Sequence, residues 1–195
     1  MSGPELVVLA DDAGHAIGTA LKSDVHTTET PLHFAFSCYV VDDEGRTLIT
    51  RRALSKKAWP GVWTNTCCGH PAPGESVEDA VIRRMREELG LEIETLEPVL
   101  PDFRYRAVDS SGIVENEICP VFVARIRSDP RPNPEEVMEW AWVPLDALVA
   151  VAQSAPMTLS PWAVLQLSAL PASFVSPSLV PQGEVDAAEA TIRAN

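Results

Sequence analysis

"SVEDAVIRRMREELG", residues 76–90, decides the fold class. Ser76 is a natural N-cap with Asp79 three residues on, and Gly90 is a natural stop, so the stretch predicts a helix. Val77, Val81, Met85 and Leu89 recur every four residues and form one apolar row that must lie on a sheet. Strands surround it on both sides. Upstream, "HFAFSCYVVDDEGRTLITRRA", residues 33–53, predicts two strands joined at "DDEG". Phe34, Phe36, Cys38 and Val40 share one face of the first strand; His33, Ala35, Ser37 and Tyr39 share the other. Cys38 therefore belongs to the core. "LVVLADDAGHAIGTAL", residues 6–21, predicts an earlier hairpin. Downstream, strands are expected around 102–107 and 113–126. "MEWAWVPLDAL" predicts a strand entering a helix, and "SPWAVLQLSAL" a further helix. Mixed strands with interleaved helices make the chain α/β in the loose sense, or α+β. Residues 1–170 are expected to form one domain. The tail 171–195, rich in Pro, Ser and Ala, is expected to be either mobile or a short helix.

The 195 residues suffice for a buried core. The net charge of −13 argues against nucleic-acid binding, which needs a basic surface to neutralise phosphates. No apolar run is long enough to span a bilayer, and the N-terminus lacks a secretory pattern. A cytoplasmic protein is the expectation. Against the acidic background "RRALSKK", residues 51–57, gathers four of the fifteen Lys and Arg residues, as a solvated loop or as a local anion site. The cysteines, at 38, 67, 68 and 119, have no C-x-x-C spacing and do not form a disulfide framework.

Four histidines are present. His15 falls in a hairpin turn and carries no role. His26 and His33 flank Pro31 in "HTTETPLH". In "VENEI", Glu115 and Glu117 share one strand face, with Val114 and Ile118 opposite. Two carboxylates aimed one way repel unless something neutralises them. A divalent metal held by His26, His33, His70, Glu115 and Glu117 would do so; spacing alone favours the plainer alternative, a solvent-facing acidic edge. In "WTNTCCGHPAPGE", residues 63–75, an extended backbone sends Cys68 and His70 to one side and Cys67 to the other. A metal-liganding His70 would then bring Cys68 to the edge of a metal cavity, while Cys67 would point into the packing.

Counting from Gly69, the order Gly69, Glu75, Arg83, Glu87, Glu88, Gly90 resembles the Nudix box, a loop-helix element that presents glutamates to a metal-bound diphosphate. Arg84 stands where that box has a glutamate, which counts against hydrolysis and not against diphosphate binding. Together "HTTETPLHFAFS", "TRRALSKKAWPGVWTNTCCGHP", "PDFRYRA", "GIVENEICPVF" and "SPW" resemble the type I isopentenyl-diphosphate delta-isomerases, Nudix-fold enzymes, over roughly residues 20–165.

The resemblance implies a Nudix-like mixed sheet flanked by helices in an α-β-α sandwich. It implies Mn2+ or Zn2+ on His26, His33, His70, Glu115 and Glu117, and Mg2+ joining the substrate diphosphate to Glu88. Arg52 and Lys56 match diphosphate contacts, with Lys22 a further candidate; Arg84 suits a diphosphate that is held and not cleaved. Cys68 and Glu117 match an acid-base pair, Glu117 assigned to protonate C4 and Cys68 to take the C2 proton, an order that reversibility leaves open. Tyr105 is expected to assist by a hydrogen bond, and the π face of Trp162 to stabilise a carbocation. Trp59 and Trp63 are read as packing, and Cys119 is given no role. The partner is a small-molecule diphosphate, with no nucleic acid and no membrane, and the chain is expected to be a monomer or weak homodimer. Two other readings are a Nudix-type diphosphohydrolase and a non-catalytic module stabilised by zinc on Cys67, Cys68, His70 and another histidine.

Overall fold

The computed structural model describes residues 5–171 and 174. The strands are β1 (Leu6–Ala10), β2 (Ala16–Leu21), β3 (His33–Phe34), β4 (Phe36–Val41), β5 (Arg46–Arg52), β6 (Trp63–Thr64), β7 (Cys67–Gly69), β8 (Ile93–Leu100), β9 (Arg104–Val108), β10 (Val114–Ile118), β11 (Val121–Ile126) and β12 (Val137–Pro144). The helices are α1 (Lys22–Val25), α2 (Val77–Leu89), α3 (Leu145–Ser154) and α4 (Pro161–Ala169), with a 3₁₀ turn at Pro156–Thr158.

Two mixed sheets result. One has the order β2-β1-β3-β10-β9; the other has the order β12-β5-β4-β11-β8, with β6 on β5 and β7 on β4. The β3–β10 and β4–β11 pairs are parallel. Helices cover both faces of the larger sheet. On one side α2 packs Val81, Met85 and Leu89 against Phe36, Cys38 and Val40. On the other, Leu145 and Leu148 of α3 and Leu167 of α4 pack against Tyr39, Ile49 and Val121. This is the expected α-β-α sandwich, and burial on both faces explains why β4 reads as a nearly continuous apolar run.

Helix α2 forms where its signals put it. The Ser76 hydroxyl accepts the Asp79 N–H at 3.1 Å, and Gly90 takes a left-handed φ of 63° to end the helix. Val81, Met85 and Leu89 are fully buried.

Two features depart from the sequence reading. Strand β8 was not anticipated, because "IETLEPVL" carries Glu94, Glu97 and Pro98; such a composition suits its place at a sheet edge. The strand predicted through residues 33–40 is divided at Ala35, so that β3 joins the smaller sheet and β4 the larger. Next to it, β10 and β11 divide between the same sheets at Cys119 and Pro120. The two crossing segments bond each other, the Ala35 N–H donating to the Ile118 carbonyl at 2.9 Å and the Ser37 N–H to the Pro120 carbonyl at 3.1 Å. The expectation for the tail 171–195 falls, apart from residues 171 and 174, outside the described residues. Among the described residues no helix is long and apolar enough to cross a membrane.

Candidate active site

The seam between the sheets gathers the histidines. His26 ends α1, His33 opens β3, His70 follows β7, and Glu117 lies on β10 in parallel register opposite His33. One ligand atom from each of these four residues lies within 4.8 Å of the others. His33 Nδ1–H donates to the Pro31 carbonyl at 2.9 Å, which leaves the Nε2 lone pair aimed inward. His33 Nε2, His26 Nε2 and His70 Nδ1 are buried without hydrogen-bond partners. Orphaned imidazole nitrogens beside a buried carboxylate fit a divalent cation. Glu115 Oε2 lies 3.0 Å from His26 Nε2 but is not aligned as a hydrogen bond, and it stands beside the four-residue cluster rather than in it. Both carboxylates are only 6% exposed, so the solvent-facing acidic edge is not what forms.

The charges here are interdependent. Burial works to raise Glu117, but the His33 and His70 rings beside it overcome this and hold the carboxyl well below the usual range. Burial and the neighbouring Glu117 charge push Glu115 up. Burial brings His70 down to about 4, which keeps its ring neutral, the form that ligates a metal.

Strand β7 settles the two cysteines. It pairs antiparallel with β4, Ser37 opposite Cys68, Cys38 opposite Cys67 and Phe36 opposite Gly69. Cys67 packs in the apolar core with Phe36 and Cys38. Cys68 is partly exposed, and its thiol donates to Asn65 Oδ1 at 3.1 Å and contacts Ser37 Oγ at 3.3 Å. Burial pushes this thiol up to about 11, with the Ser37 and Asn65 hydrogen bonds pulling the other way. No cysteine sulfur joins the histidine cluster among the described residues, which removes the basis for the zinc-stabilised module.

Trp162 Nε1 donates to the same Asn65 Oδ1 at 3.0 Å. Its indole has Tyr105 at 6.0 Å, the edge of Trp59 at 5.4 Å and the Arg52 guanidinium at 5.4 Å. Tyr105 is paired with Glu117 across β9 and β10, and no hydrogen bond joins its hydroxyl to that carboxylate. Trp63 packs in the α3–α4 core layer.

A cavity of about 570 Å³ takes in this group and four cationic side chains. His26, His70, Cys68, Tyr105, Glu115, Glu117 and Trp162 line it, together with Lys22, Arg52, Lys56 and Arg84 and with the carboxylates Glu5, Glu88 and Glu136. Each cation is already engaged. Arg84, 6% exposed, pairs with Glu88 and Glu87 and reaches Glu136 at 3.3 Å. Lys56 pairs with Glu136, and burial lowers its ammonium to about 8. Lys22 pairs with Glu5 at 3.0 Å, and Arg52 donates to the Ala58 carbonyl at 3.0 and 3.2 Å. Glu88 is buried beside Arg84 and faces the same cavity.

Glu5, Ser37, Asn65, Glu136 and Gln166 escaped the sequence reading as site residues. Ser37 carried a signal, since it shares a strand face with His33. Gln166 carried a weaker one, standing four residues after Trp162 on a helix.

The NUDIX domain family matches residues 31–167. An isopentenyl-diphosphate Delta-isomerase of Agromyces mediolanus is 61% identical over 87% of this chain and 82% of its own length. The isopentenyl-diphosphate Delta-isomerase of Kocuria rhizophila is 59% identical over 83% and 89%. The chain belongs to the Nudix family, among the isopentenyl-diphosphate Delta-isomerases. The fold of this isomerase is also that of a solved Deinococcus radiodurans protein, with TM-score 0.66 and 20% identity over 84% of this chain and 98% of that one. A MutT protein of Methanosarcina mazei has TM-score 0.57 and 20% identity over 71% and 91%. In this isomerase Arg84 fills the box position of a glutamate with a buried guanidinium paired to Glu88.

Proposed function

We propose that this isomerase interconverts isopentenyl and dimethylallyl diphosphates with Cys68 and Glu117 as its proton-transfer pair. The observation that carries the reading is that Cys68, Glu117 and Trp162 line one cavity together with Lys22, Arg52, Lys56 and Arg84. Protonating an isolated alkene at C4 makes a tertiary cation at C3, and removing a C2 proton then gives the internal alkene. One group must give the first proton and another take the second, and water must be kept from the cation. Trp162 and Tyr105, with ring centroids 6.0 Å apart on the cavity wall, would offer π faces to it. Arg52, Lys56, Lys22 and Arg84 would hold the diphosphate.

His26, His33, His70 and Glu117, with Glu115 alongside, would hold Mn2+ or Zn2+, and Glu88 would meet Mg2+ carried by the diphosphate; such ions neutralise charge and order the pocket. The sequence reading had Glu117 as donor and Cys68 as acceptor. Because the reaction is reversible, each group gives a proton in one direction and takes one in the other.

The test is proton NMR of the protein with isopentenyl diphosphate, Mg2+ and Mn2+ in D2O. Dimethylallyl signals with deuterium incorporation are expected from wild type and Cys67→Ala, and loss of both from Cys68→Ala. Release of inorganic phosphate or pyrophosphate instead would return the hydrolase reading.

A further inference from the structure

Behind Cys68 lies a buried polar chain that the reaction as described does not use. Tyr39, Ser37 and Gln166 are each 0% exposed. The Tyr39 hydroxyl donates to Gln166 Oε1 at 3.1 Å, and Gln166 Nε2 donates to Ser37 Oγ at 2.8 Å. Ser37 Oγ lies 3.3 Å from Cys68 Sγ and 3.5 Å from Cys119 Sγ. Burying three polar side chains costs stability unless every partner is in place, and an apolar set would pack more simply.

The polarity of the chain has a direction. Tyr39 occupies the carbonyl oxygen of Gln166, so the amide hydrogens face Ser37. With its oxygen accepting from Gln166, Ser37 has its own hydrogen left for sulfur. Cys68 gives its thiol hydrogen to Asn65, so its sulfur lone pairs face Ser37. The thiol is thus held from two sides, by Asn65 Oδ1 as acceptor and by contact with Ser37 Oγ, whose one hydrogen has both Cys68 and Cys119 sulfurs within reach. Gln166 and Trp162 are four apart on α4, so one helix face carries both the indole and the amide behind the thiol. Cys119, the other neighbour of Ser37, does not line the cavity.

We propose that Gln166 is a positioning residue for the isomerisation: acting through Ser37, with its amide orientation set by Tyr39, it fixes where Cys68 Sγ points in the cavity. This rests on the assignment of Cys68 as a proton-transfer group.

Steady-state kinetics and thermal melts of Gln166→Leu, Ser37→Ala, Tyr39→Phe and the Ser37→Ala/Gln166→Leu double variant test it. Misplacing a reacting atom by an ångström costs up to about 100-fold, so Gln166→Leu and Ser37→Ala should each lower kcat roughly 10- to 100-fold. KM for isopentenyl diphosphate should stay within about two-fold, since the diphosphate contacts are untouched. Tyr39→Phe should lower kcat less, because the amide still donates but is free to turn. The double variant should be no slower than the slower single, because both changes cut one chain. Multiplying losses would overturn the proposal, since they would mean that Gln166 acts by shifting α4 and Trp162. Wild-type kcat in Gln166→Leu would overturn it as well. Should Gln166→Leu fail to fold, the Tyr39→Phe loss must vanish in the Ser37→Ala background, and its persistence there would sink the idea. Cys68→Ala, run in parallel, separates the failures. An active Cys68→Ala removes the assignment of the thiol and this inference together; an inactive one beside a fully active Gln166→Leu removes the positioning role alone.

Discussion

Gly69→Ala is expected to damage both stability and turnover through a single added methyl. Gly69 lies in β7 between Cys68 and His70, opposite Phe36. A Cβ there would stand 2.9 Å from Arg84 Cγ and 3.0 Å from two ring atoms of Phe36, where ordinary contact begins at 3.4 Å. Neither neighbour can yield cheaply: Phe36 is fully buried, and Arg84 is tied to Glu88. Relief requires β7 to move outward by about half an ångström, and overpacking of this kind costs about 1–3 kcal/mol. At about 2–4 °C per kcal/mol for a domain of this size, the melting temperature should fall by roughly 2–12 °C. The same shift displaces Cys68 and His70 and should lower kcat about 10-fold. Differential scanning calorimetry and the NMR conversion assay read the two effects. A Gly69→Ala protein with unchanged melting temperature and unchanged kcat would refute the close-approach argument.

Metal should report on the histidine cluster: Mn2+ or Zn2+ at about 100 times its Kd adds about 2.7 kcal/mol of stability, seen as a higher melting temperature that EDTA reverses. His33→Gln should abolish that shift and His15→Gln should keep it. Arg84→Met leaves Glu88 buried without its partner and should cost about 3 kcal/mol or more in a urea titration, partly restored by a second change, Glu88→Gln. Glu75 takes two hydrogen bonds from Arg83, at 2.7 and 2.9 Å, which hold its carboxyl below the usual value of 4.5. Its stabilisation is then complete above that value and fades as the pH falls through the folded one. Glu75→Gln should be less stable than wild type by about 1 kcal/mol at pH 7, and the two melting curves should converge in acid.

Helix α2 was legible because its cap, its stop and its apolar row are all local signals. The pairing of Glu115 and Glu117 on one face was legible for the same reason, but their burial was not. It depends on β3 and β9 flanking β10, and those contacts come from distant parts of the chain. Strand β8 was hidden by glutamates and a proline that an edge tolerates. The alternation through "CCGH" placed Cys67 and Cys68 on opposite faces as expected. What supports the thiol could not be read in this way. Asn65 meets Trp162 across 97 residues of sequence, and Gln166 meets Ser37 across 129. No short spacing announces such bonds.

The double crossing at Ala35 and at Cys119–Pro120 bears on how substrate gets in. Two covalent strands, bonded to each other, pass from one sheet to the other beside the histidines and Glu117, so the sheets cannot part like a clamshell to admit a ligand. Entry is left to the rim, where Lys22 and the loop of residues 52–58 carry side chains already resting on Glu5, Glu136 and a main-chain carbonyl. An arriving diphosphate would trade places with those tethers, drawing the rim inward while the floor stays still. Such an exchange would keep the movement that admits substrate apart from the strand crossing that holds His33 and Glu117.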